Sequence, residues 1–135
     1  MIFITAAFLF SVIILIWIVN LYMQKREAAI EPPKLPIENK LLIDSILNND
    51  IEGVVKSLNN YRAAPHSKSE AGKSAMELAI SQNNKFIIAY LIKYGAFPNK
   101  IETKAAIESG NKEIMELVIT GKHLAIIKEY EFKKL

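Results

Sequence analysis

Residues 1–24 carry no charged side chain, so all 17 Lys and Arg and all 14 Asp and Glu of this 135-residue chain fall in residues 25–135. That asymmetry constrains the fold more than any other feature. Between Ile2 and Met23 the polar residues are Thr5, Ser11, Asn20 and the amphipathic Tyr22. Written as a helix, this run rises roughly 33 Å, enough to cross a hydrocarbon core of about 30 Å. Thr5 and Ser11 can bond back to carbonyls of their own helix, so neither hydroxyl forbids insertion. Trp17 and Tyr22 sit where an interfacial aromatic belt belongs, and Lys25 and Arg26 follow as head-group anchors.

Two other readings compete with an anchor. A cleaved signal peptide has a basic start, an apolar run of about 7–15 residues and a small-x-small site. Here no basic residue precedes the run, the run is longer, and "QKREAAI" is a poor cleavage site. A helix apolar on all sides can also be a core helix, but only inside a larger protein. Residues 1–24 are therefore read as a transmembrane anchor in contact with lipid. Lys25, Arg26, Lys34 and Lys40 follow the span and no basic residue precedes it, so the positive-inside rule places the remainder in the cytoplasm.

Residues 25–39 hold three of the five prolines, Pro32, Pro33 and Pro36, and show no apolar period. They read as a Pro-rich linker, an extended spacer reaching about 20–30 Å at about 3.1 Å per residue.

Residues 40–135 form the rest. The stretch "GKSAMELAISQNNKFIIAYLIKYGAFPNK" (72–100) places Met76, Leu78, Ala79 and Ile80 on a helix over 74–81. It places Phe86, Ile87, Ile88, Leu91 and Ile92 on a second helix over 85–93. Neither is long enough to stand alone in water. Paired antiparallel across Gln82-Asn83-Asn84, they bury a shared stripe and leave faces that need neighbours. Gly95 supplies the left-handed residue that ends the second helix. The flanks echo the unit. Residues 41–58 repeat it at an offset of 34, with Val54 and Leu58 at the Ile88 and Ile92 positions. Residues 103–119 repeat Ala106, Gly110-Asn111, Ile114-Met115 and Val118-Ile119 at an offset of 27. The predicted core includes Leu78, Ile88, Leu91, Ile114 and Val118. "HLAIIKEYEFKKL" (123–135) reads as a terminal helix with Lys and Glu outward, its "EYEFKK" end frayed.

Gly72, Ser74 to Ala79, Asn83-Asn84, Ile87-Ile88, Leu91-Ile92, Gly95-Ala96 and Asn99 together resemble an ankyrin repeat, whose period is about 33 residues. The departures are Ala75 for Pro, Glu77 for His, Asn83 for Gly, and a finger about six residues short between the second and third units. Asn is the common substitute for Gly at positive φ. The resemblance implies an all-α, ankyrin-like helical-repeat stack over 40–135, with repeats at about 41–71, 72–102 and 103–122 and a cap at 123–135. It also implies a protein partner, bound by fingers and inner helices, and no enzymatic activity. The matching finger positions are Tyr61, Arg62, His66 and Lys68. The inner-helix positions are Asp44, Asn48, Lys73, Glu77, Ser81, Lys104 and Glu108. Tyr61 and Arg62 stand out because aromatic and Arg side chains carry most hot-spot energy. By analogy with short bacterial ankyrin-like proteins, such a module could serve as an immunity protein that blocks a toxin or effector. The alternative is a structural or regulatory adaptor subunit of a membrane complex.

Chemistry is sparse. There is no cysteine, and the two histidines, His66 and His123, are far apart in sequence, so no metal or cofactor site is expected. A net charge of +3 is too small for a nucleic-acid face. "AGKS" (71–74) lacks the leading glycine of a phosphate loop, since position 67 is Ser, and no strand precedes it. No catalytic set and no small-molecule substrate is expected. Glu102, Glu108, Glu113 and Glu116 read as a solvated outer face.

Overall fold

The computed structural model describes residues 2–29 and 36–135, which fall into two compact units divided at Lys34 and Leu35. The first contains α1 (Ile2–Ala29), a helix of 28 residues. Among the described residues it is the one helix long and apolar enough to cross a membrane. Its side chains from Phe3 to Lys25 are exposed. Ser11 Oγ donates to the Ala7 carbonyl at 2.9 Å, so this hydroxyl is satisfied by the helix itself. Residues 25–29, read as part of the Pro-rich linker, continue α1 instead. Gln24 to Ala29 are good helix formers and prolong α1, while Pro36 begins the next helix. Pro32, Pro33 and Lys34 lie outside the described residues.

The second unit is helical throughout its named elements: α2 (Ile37–Leu47), α3 (Ile51–Asn59), α4 (Ala75–Ser81), α5 (Lys85–Lys93), α6 (Lys100–Glu108), α7 (Lys112–Thr120) and α8 (Leu124–Lys133). The short polar residues set where these helices begin. Asp50, Ser74, Asn84, Asn99 and Asn111 are N-caps, and each accepts from a free amide of its own helix. Ser74 with Glu77, and Asn99 with Glu102, complete capping boxes.

The first six of these helices pair as three antiparallel hairpins, α2/α3, α4/α5 and α6/α7. Each tight turn has a left-handed residue: Asn49 at φ 56°, Asn83 at φ 55° and Gly110 at φ 70°. The hairpins stack in register, since α2, α4 and α6 pack in that order and so do α3, α5 and α7. Asparagines bolt the turns together. Asn84 Nδ2 donates to Asn49 Oδ1 at 2.7 Å, and Asn111 Nδ2 donates to Asn83 Oδ1 at 2.9 Å. All three turns therefore share one end of the unit, hereafter the turn end. The opposite, loop end holds the connections 60–74, 94–99 and 121–123, together with the N-termini of α2, α4 and α6. There Ala64 N donates to Asn39 Oδ1 at 2.8 Å and Ser74 Oγ donates to Glu102 Oε1 at 2.7 Å.

The core is one apolar cluster in which Leu42, Ile46, Val54, Ile87, Ile88, Leu91 and Ile114 are inaccessible to solvent. Leu78, Ile88, Leu91, Ile114 and Val118, predicted from the pattern, are all buried. The C-terminal helix behaves differently from the expected cap. α8 packs chiefly on α5, the middle second helix. The Tyr130 ring lies 5.3 Å from that of Phe86 and edge-on to Tyr90 at 6.1 Å. Tyr130 OH donates to Glu52 Oε1 at 2.6 Å, and Lys134 Nζ pairs with the same oxygen at 2.6 Å. α8 is thus a strap across the second helices, and its end is tied down rather than frayed. The trailing side of hairpin three stays open, with Ile107 and Ile119 exposed where their counterparts Ile80 and Ile92 are buried.

Candidate interaction surface

The first helices of the hairpins form a row of open grooves. One, of about 710 Å³, lies between α4 and α6 and is lined by Lys73, Glu77, Ile80, Ser81, Ala105, Glu108 and Asn111 among others. It brings Lys73, Glu77, Ser81 and Glu108 together, four positions that the sequence spreads from residue 73 to residue 108. A second groove, of about 460 Å³, lies between α2 and α4. Lys40, Ile43, Asp44, Leu47, Glu70, Lys73 and Leu78 line it, so Lys73 edges both. Lys104 and Glu108 meet in an i,i+4 ion pair at 3.7 Å beside Thr103 and Ile107. Asn48 is exposed and ends α2 at the turn end. These grooves carry acidic and basic side chains beside aliphatic ones such as Ile80, Ile43 and Leu47.

The finger is a separate place. Tyr61, Arg62, His66 and Lys68 are exposed on the 60–74 connection and line neither groove. The Tyr61 ring is half-exposed, with Lys56 Nζ 5.8 Å from its centroid. Arg62 has φ 53°, a left-handed conformation that costs a non-glycine residue about 1–2 kcal/mol. Its neighbours impose it. Tyr61 N donates to the Lys56 carbonyl, Ala63 N to the Ser57 carbonyl, and Ala64 N to Asn39, while Ala63 itself is buried.

Glu102 corrects the expectation of a solvated acidic face. It is 6% exposed, accepts from Asn99 N at 2.9 Å and from Ser74 Oγ, and thereby ties α6 to α4. Glu108, Glu113 and Glu116 are exposed as expected. His66 is exposed, whereas His123 is partly buried, with Nδ1 3.0 Å from the Gly121 carbonyl. Among the described residues no group of three or more His, Asp or Glu side chains is placed to hold a metal ion. On α1, Trp17, Tyr22 and Lys25 are exposed, and the Arg26 side chain lies outside the described residues.

Charge in the helical unit is polarised between its two ends. The turn end bears Asp44, Asp50, Glu52, Glu108, Glu113, Glu129 and Glu131 against Lys85, Lys112, Lys133 and Lys134. The loop end bears Lys40, Lys56, Arg62, Lys68, Lys73, Lys93, Lys100 and Lys122 against Glu38, Glu70, Glu77 and the buried Glu102. At the turn end Lys85 Nζ joins Glu113 at 2.8 Å and Glu129 at 3.1 Å. Its affinity for its proton is raised chiefly by the bond to Glu113. Bonds from Lys134 and then Tyr130 hold the Glu52 carboxyl below its ordinary range. Bonds from Lys133 and then Lys85 do the same for Glu129. Burial, and then the bond to Glu52, pushes the Tyr130 phenol up to about 12. Comparison with protein-family models, with curated proteins and with solved structures finds no match to this chain.

Proposed function

We propose that this chain is a membrane-anchored protein-binding module. In this reading α1 spans a bilayer, the three hairpins form an ankyrin-type stack, and the grooves between the first helices hold a protein partner. The observation that carries it is the convergence of Lys73, Glu77, Ser81 and Glu108 on one groove between α4 and α6. Stacks of registered helical hairpins use such surfaces for recognition. The order of packing among first helices and among second helices supports that architecture. The basic residues after the span, Lys25, Arg26, Lys34 and Lys40, support a cytoplasmic domain in this reading. Tyr61 and Arg62 on the finger add a second contact region of hot-spot type.

Affinity capture from native membranes tests it, using the full chain, Lys73→Ala/Glu77→Ala and Tyr61→Ala/Arg62→Ala, with helicity checked by circular dichroism. The groove variant should lose at least about tenfold in recovered partner, equivalent to about 1.4 kcal/mol. Equal recovery by the full chain and the folded groove variant removes the groove from the interface. The chemistry of the captured protein separates the two roles: a toxin or effector means an inhibitor, and a subunit of a membrane complex means an adaptor.

A further inference from the structure

We propose that the loop end of the helical unit, around Phe97, Ile101 and Leu124, seats on an anionic bilayer surface. This rests on the reading of α1 as a membrane anchor. The three side chains are 85%, 65% and 65% exposed. They come from the 94–99 connection, the first turn of α6 and the first turn of α8, which the hairpin topology gathers at one end. Such side chains bury apolar area when they enter the head-group region.

Their surroundings select lipid over protein. Lys93, Lys100 and Lys122 are exposed beside them. Residues 93–101 and 117–128 contain no Asp or Glu. Glu102, which follows the first stretch, is buried against Ser74, and Glu116 and Glu129, which flank the second, lie further along α7 and α8 from this end. Protein interfaces are depleted of lysine, whereas lysines close to an anionic leaflet are attracted to it. The acidic turn end gives the orientation a sign, because the same leaflet repels it. Chain connectivity agrees. The polypeptide enters the unit at Pro36 and Ile37, and the N-terminus of α2 belongs to this same end.

The absence of cysteine allows a direct test with single labels. Full-length Phe97→Cys and full-length Gln82→Cys, the latter at the turn end, each receive an environment-sensitive dye. Both are reconstituted into vesicles of phosphatidylcholine alone or mixed with phosphatidylglycerol. The dye at 97 should shift to the blue and be quenched severalfold less by acrylamide in the anionic vesicles than in the neutral ones. The dye at 82 should not change. Adding Lys93→Gln, Lys100→Gln and Lys122→Gln to the Phe97→Cys chain should abolish the difference without loss of helicity. Equal quenching at 97 in the two lipids overturns the proposal. Protection that needs a co-reconstituted native membrane protein, whatever the lipid charge, overturns it in favour of a protein seat. A chain that floats with neither vesicle overturns the anchor reading itself, and the proposal with it.

Discussion

Asn83 does two jobs with one side chain, and each can be removed separately. Its backbone holds the left-handed turn at φ 55°, and its Oδ1 accepts from Asn111 in the next hairpin. Asn83→Gly keeps the turn and loses the bond, at about 0.5–1.5 kcal/mol. Asn83→Ala loses both and should cost about 1–2 kcal/mol more. Urea unfolding of the two variants measures the difference, and equal losses would mean that the turn is not strained. Gly53 carries the opposite lesson. Alanine in place of a glycine inside a helix ordinarily gains about 1 kcal/mol. A Cβ here collides with the Asp50 carboxylate and with Ser45 Oγ, while that carboxylate caps α3 through Gly53 N. Gly53→Ala should therefore destabilise by about 1 kcal/mol, the worth of the cap; a gain in urea midpoint would show that Asp50 moves aside freely. The Asn83 turn was legible in the sequence because its cause lies in the residue itself. Arg62 was not, because its positive φ is imposed by hydrogen bonds to Lys56, Ser57 and the distant Asn39.

Among the elements, α4 and α5 emerge from the sequence almost to the residue, since caps and apolar period all lie within one short stretch. The strap did not emerge. What α8 packs against is decided by Phe86 and Tyr90 meeting Tyr130 about forty residues later, and periodicity is silent about partners. Its attachment is chemically sensitive at both ends of the pH scale. Glu52 and Glu129 have lowered folded pKa values, so their contribution is complete above the ordinary value of 4.5 and is lost as pH falls through the folded value. Tyr130 is shifted the other way, and its neutral form is the one favoured by folding. That contribution is complete below the ordinary value of 10 and is lost as pH rises from there to about 12. Protection of the α8 amides, relative to their intrinsic exchange at each pH, should therefore fall below pH 4.5 and again above pH 10, ahead of α4 and α5. Absorbance titration of the tyrosines should show one phenol ionising near 12 that falls in Glu52→Gln yet stays above the ordinary 10, because burial is the larger cause; a return to 10 would mean that the bond outweighs burial. Exchange in α8 that tracks α5 at every pH would mean that the strap and the stack open as one piece.

At the scale of the whole molecule, the division into an apolar helix and a helical unit was legible from one fact, the absence of charge in residues 1–24. The polarisation of charge between the two ends of the second unit was not. It appears only once hairpins put residues such as Lys40, Lys93, Lys100 and Lys122 at one end and Asp50, Glu52, Glu108 and Glu113 at the other. The same holds for the groove, whose four charged and polar residues come from α4, the connection just before it and α6, with the two helices packed side by side. The proposed binding role, orientation and lipid-facing end all depend on α1 remaining attached and lying in a bilayer. Alkaline carbonate extraction of membranes expressing the full chain, with the intact mass of the recovered protein, measures both at once. The account predicts a chain that retains residues 1–24 and stays in the membrane pellet, while a chain starting at residue 30 is released. A mature protein that begins near Ala28 and is recovered in the supernatant would contradict it.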